Sequence, residues 1–72
     1  MTSQEQQRLT EAERRIAEFR QRIAEQEDLI ATLREDGHPT RAAEELLMQF
    51  KESLRLGEEH RQIMRLCALR RG

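Results

Sequence analysis

The sequence predicts an all-α fold: an antiparallel two-helix coiled-coil hairpin that dimerises into a four-helix bundle. Three observations predict it. Leu9, Ala12, Ile16, Phe19, Ile23, Gln26, Ile30 and Leu33 follow one another at alternating spacings of three and four residues, which is the seam of a coiled coil. Ala43, Leu47, Phe50, Leu54, Gly57, Arg61, Met64 and Ala68 form a second seam of the same period. Between the two lies Asp36-Gly37-His38-Pro39-Thr40, a cluster of turn residues.

The first helix is expected over residues 3–36. Thr2 and Ser3 are each followed three residues later by Glu5 or Gln6, the spacing of a capping box that satisfies the first free amides. No Gly or Pro interrupts the chain from there to Asp36, and some 33 residues at about 1.5 Å each give a rod on the order of 50 Å long. A turn over residues 37–39 ends it. Gly37 suits the left-handed helix C-cap, and Pro39 pushes His38 towards extended backbone. Thr40 opens the second helix, expected over residues 40–70, although Ala43 stands where a capping box wants Glu or Gln. A connection this short forces the rods antiparallel.

Folding about Gly37 and His38 sets Leu33 against Ala43, Ile30 against Leu46 or Leu47, Gln26 against Phe50 and Ile23 against Leu54. Further along it sets Phe19 against Gly57, Ile16 against Arg61, Ala12 against Met64 and Leu9 against Ala68. Large faces small in this register, with the seam glycine opposite Phe19. The Arg61 stem is expected to cover apolar surface while its head reaches Glu13 or Glu18. The expected core and self-association residues are Leu9, Ile16, Phe19, Ile23, Gln26, Ile30, Leu33, Leu46, Leu47, Phe50, Leu54 and Met64. Gln26, the polar member, either fixes register or sits at the edge of the bundle with its amide in water.

Seventy-two residues make one small domain, and a chain this short buries only about 60% of its unfolded surface. Charged residues at 38% and a mean hydropathy of −0.92 describe long solvated helices. A single hairpin offers one layer of contact per helix, so association is expected, with a homodimer first and a partner protein second. Leu56, Ile63, Leu66 and Leu69 lie away from the seam and form a candidate partner surface.

Net charge is −1, which supplies no overall field for nucleic acid or anionic membrane. Residues 1–36 carry nine acids against six bases, and residues 37–72 five against seven, an imbalance that suits mutual packing. Cys67 is the only cysteine, so no internal disulfide forms. The Gln, Glu and Arg of the first fifteen residues do not read as a signal peptide, and no apolar run approaches the roughly 20 residues of a membrane helix. A cytoplasmic chain is expected.

Chemistry finds little footing. Glu35 and His38 have the spacing of a di-iron ligand pair, but such sites need two pairs and two more carboxylates, and Gly37 breaks the helix between them. His60, Met64 and Cys67 share a face without a fourth ligand and read as bundle filling. Ser3 and Ser53 have no His positioned as a base, and three scattered glycines make no phosphate loop. The expectation is a chain without catalytic, metal or cofactor sites.

The stretch Ile30-Ala31-Thr32-Leu33-Arg34-Glu35-Asp36-Gly37-His38-Pro39-Thr40, followed by Ala43, Leu46-Leu47, Phe50, Ser53-Leu54, Leu56 and His60-Arg61, resembles a group of short uncharacterised helical-hairpin proteins of soil and symbiotic bacteria. The resemblance runs from about Ala12 to Ile63 and implies a common hairpin. It carries no known functional residue to transfer, and Pro39 departs from the acid expected there.

The function expected is a non-enzymatic interaction or structural module that self-associates through its apolar faces. One alternative is a dimeric RNA- or DNA-binding hairpin using Arg55, Arg61, Arg65, Arg70 and Arg71; it lacks aromatic platforms, since Phe19 and Phe50 are both seam residues. Another is a small subunit or regulator that docks on a larger protein assembly.

Overall fold

The computed structural model describes the backbone of residues 2–71 and the side chains of residues 2–70. Two helices, α1 (Ser3–Glu35) and α2 (Arg41–Arg71), pack antiparallel into a rod of 55 × 15 × 11 Å. The architecture is the helical hairpin that the two seams predict.

Each end of α1 is closed by its own sequence. Thr2 has extended backbone, and its Oγ1 accepts a hydrogen bond from the Glu5 amide at 3.1 Å. At the far end Asp36 is the C-cap rather than the last helical residue. Gly37 follows at φ +73°, a conformation that costs an L-residue with a Cβ roughly 1–2 kcal/mol. The His38 amide then donates to the Leu33 carbonyl at 2.8 Å and the Gly37 amide to that of Arg34 at 3.1 Å, the paired bonds of a Schellman motif.

Thr40 lies just before α2 and not within it. Its carbonyl accepts from the Glu44 amide at 2.8 Å, but its hydroxyl makes no hydrogen bond. The expected Thr40 side-chain cap is therefore absent, in keeping with the missing acid at Ala43.

The seams meet, yet little is enclosed. Among the described residues the buried apolar side chains are Ile16 and Ile30, at 2% and 5% exposure, joined by Gln26. Full burial of such an isoleucine contributes about 1.5–3 kcal/mol. Leu9, Phe19, Ile23, Leu33, Leu47, Phe50, Leu54 and Met64 are half-buried. Leu46, expected in the core, is exposed, because it lies one position off the seam and α1 does not reach over it.

Gln26 is buried, at 8% exposure, and its amide is not in water at the edge of the seam. Its Nε2 donates across the helices to the Ala43 carbonyl at 2.9 Å, using an acceptor whose second lone pair is spare beside the helical bond. No buried side-chain nitrogen or oxygen lacks a partner among the described residues.

Two expected facings are corrected. A Cβ built on Gly57 would meet Ile16 Cγ1 at 3.5 Å and nothing of Phe19. Phe19 is half-buried and lines one groove with Gly57, with the Arg22 guanidinium 5.6 Å from its ring centroid. Arg61 remains half-buried without an ion pair, and it is Arg65, one turn later, that reaches Glu13.

Candidate interaction surface

Beside the seam the hairpin has two flanks, and they are built differently. On the first, α1 presents Glu13, Arg20, Glu27 and Arg34 at heptad spacing, and α2 presents Glu44, Lys51, Glu58 and Arg65. Charges alternate along each row and are complementary when the rows run antiparallel. Arg34 pairs with Glu44, Arg20 with Glu58 at 3.2 Å, and Arg65 with Glu13 at 2.8 Å. Glu27 and Lys51 hold the remaining rung without closing an ion pair. All are solvent-exposed, so each pair contributes about 0–1 kcal/mol; together they make a neighbouring register electrostatically wrong.

On the second flank the heptad rows are Arg8, Arg15, Arg22 and Leu29 from α1, and Leu46, Ser53, His60 and Cys67 from α2. No acid stands in either row. Arg8 and Arg15 form no ion pair, and Arg22 has only the Phe19 ring. Two shallow grooves open along this flank. One is lined by Glu5, Arg8, Leu9, Met64 and Cys67, the other by Glu11, Arg15, Phe19, Gly57 and His60. Ile63 also lines the first groove and Leu56 lies seven residues before it in the same heptad row of α2, at 57% and 52% exposure.

The candidate partner surface is thus divided. Leu56 and Ile63 join Leu46 on the open flank, Leu66 adjoins Ile63 in a further groove, and Leu69 falls on the outer row of α2 with Met48 and Arg55. Leu29 and Met48, both exposed, were not foreseen as surface hydrophobes. The heptad count could have found Leu29, since it continues the row of Arg8, Arg15 and Arg22.

The five candidate nucleic-acid arginines are not brought together. Arg55 is held between Glu52 and Glu59, at 2.6 Å from the latter, and Arg65 is engaged by Glu13. Arg61 is on the seam, and Arg70 is exposed on another row of α2. The Arg71 side chain lies outside the described residues. Hydrogen bonding and attraction from Arg55 hold the Glu52 carboxyl below its ordinary pKa, and the same contacts with Glu52, reinforced by Glu59, raise that of Arg55.

His60 and Cys67, expected as bundle filling, are exposed within the hairpin, and only Met64 is half-buried. The α1 residues nearest that row are arginines, whose heads stay in water. Among the described residues no three His, Cys, Asp or Glu side chains gather to hold a metal ion, and no helix is long and apolar enough to cross a membrane. Comparison of the chain with protein-family models, with curated proteins and with solved structures found no match.

Proposed function

We propose that this chain is a non-enzymatic protein–protein interaction module that self-associates by burying its open flank against a second copy, giving a four-helix bundle. The observation that carries the proposal is surface. The hairpin exposes 5798 Å², whereas a compact folded chain of 8.6 kDa exposes about 4,700 Å². The excess, about 1,100 Å², is of the size one partner buries in a standard stable interface, about 800 Å².

The apolar side chains support the same reading. Two are buried while seven large ones stand exposed among the described residues, and four of the seven, Leu29, Leu46, Leu56 and Ile63, belong to the open flank. Burying them would also enclose His60 and Cys67, the residues a lone hairpin leaves in water. A homodimer needs no further protein and is the commonest closed assembly.

Light scattering on the purified chain across a dilution series tests this directly. The expected mass is twice 8.6 kDa, falling on dilution together with helicity, because the hairpin and its partner share one core. A folded, helical monomer throughout the micromolar range overturns the proposal.

A further inference from the structure

Resting on that self-association, we propose a specific geometry: the second copy lies on the open flank with its α1 antiparallel to the first α1, about a twofold axis passing between Arg15 and Glu18. Beside the row of Arg8, Arg15 and Arg22, the neighbouring row of α1 carries Glu11, Glu18 and Glu25, each acid three residues after an arginine. Read in the opposite direction, this double row is its own complement. Arg8 meets Glu25 of the second copy, Arg15 meets Glu18 and Arg22 meets Glu11, and the twofold repeats all three.

The acids of the hairpin favour this arrangement over the other twofold. An axis along the rod would set α1 of one copy on α2 of the other, and every acid of α2 is already engaged. Glu44 is held by Arg34, Glu45 by Arg41 at 3.5 Å, Glu58 by Arg20, and Glu52 and Glu59 by Arg55. Arginines Arg8, Arg15 and Arg22 would then face Cys67, His60 and Ser53 with no counter-charge. On α1, by contrast, Glu11 has no ion pair, Glu18 has one loose contact with Arg14 at 3.9 Å, and Glu25 accepts only from the Gln21 amide.

The same axis also serves α2. It passes level with Gly57 and His60, which line the groove shared with Arg15 and Phe19. The α2 row Ser53, Leu56, His60 and Ile63 is centred there, so Leu56 of one copy lies beside His60 of the other and Ile63 beside Ser53. Apolar surface is thus covered between the α2 helices, while charge fixes the direction between the α1 helices.

Spin labels separate the two geometries. In a chain carrying Cys67→Ser and a nitroxide on Glu35→Cys, the proposed axis puts the labels at opposite ends of the bundle, roughly 55 Å apart at 1.5 Å per residue. The axis along the rod brings both turns to one end, under about 30 Å with the helices 8–10 Å apart. Alongside, Arg8, Arg15 and Arg22 all changed to Glu should weaken the dimer at least tenfold, and adding Arg at Glu11, Glu18 and Glu25 should restore it. A dimer with the short distance overturns this geometry and leaves self-association standing. A long distance without restoration overturns the charge recognition, and a monomer overturns both.

Discussion

The two flanks of this hairpin share a seam and a heptad period but divide the work of an interface between them. The laddered flank closes its charges inside one chain through Arg34–Glu44, Arg20–Glu58 and Arg65–Glu13, around a groove lined by Ile30, Ala31 and Leu47. The open flank has three arginines without ion pairs among the described residues and a run of exposed aliphatic side chains. Closed electrostatics mark the side that sets how the chain folds on itself. Unclosed electrostatics beside apolar surface mark the side on which we propose that a second copy docks.

Substitutions that treat the flanks unequally should sharpen this contrast. The largest effect is expected from Leu56→Glu with Ile63→Glu, which charges the open flank and should weaken self-association at least a hundredfold in analytical ultracentrifugation. Arg20→Glu on the laddered flank should leave association within twofold and lower stability by no more than about 1 kcal/mol. Adding Glu58→Arg should recover most of that loss in a urea melt, since the rung is then rebuilt with its signs exchanged.

Gly57→Ala probes the seam between the flanks. The added Cβ meets Ile16 at an ordinary contact distance of 3.5 Å, and Ala exceeds Gly in helix propensity by about 1 kcal/mol. A higher melting temperature is expected; a lower one would show that the helices need a closer approach there than the hairpin alone requires.

The smallest effect concerns pH. Glu52 has a lowered pKa in the fold, so its stabilising contact with Arg55 is present above the ordinary carboxylate range and is lost as pH falls through the lowered value. In an NMR titration the Glu52 carboxyl should therefore change below its ordinary midpoint, and Arg55→Gln should move the midpoint up. An unchanged midpoint in that variant would remove Arg55 as the cause.

The seam, the turn and the rod were legible in the sequence because each rests on local chemistry: apolar period, a glycine free to take positive φ, and the Thr2 hydroxyl cap. Register was only half legible. Matching Phe19 to Gly57 by volume missed that the nearest side chain to a Cβ at Gly57 is Ile16, at 3.5 Å, since side-chain size does not reveal which seam residue comes closest. Gln26 stood out as the polar member of its row, but its acceptor is a backbone carbonyl, and every residue has one. The ladder was present in the heptads all along, one row off the seam. It becomes visible only when both helices are aligned, and the same alignment shows Arg8, Arg15 and Arg22 to be a heptad row of arginines without ion pairs among the described residues.

The sequence separations of the cross-helix contacts set an order for assembly. Arg34 and Glu44 are 10 residues apart and Gln26 and Ala43 are 17, while Arg20 and Glu58 are 38 and Glu13 and Arg65 are 52. Closing each longer loop from an open chain costs more entropy, but a contact beside one already formed adds almost none. The Schellman turn at Gly37 therefore acts as the slider of a fastener, drawing the two rods together from the Gln26 clasp outward and leaving Leu9 and Ala68 to join last. Damage near Gly37 should slow folding of the whole chain, and the same damage at the free ends should chiefly hasten its unfolding.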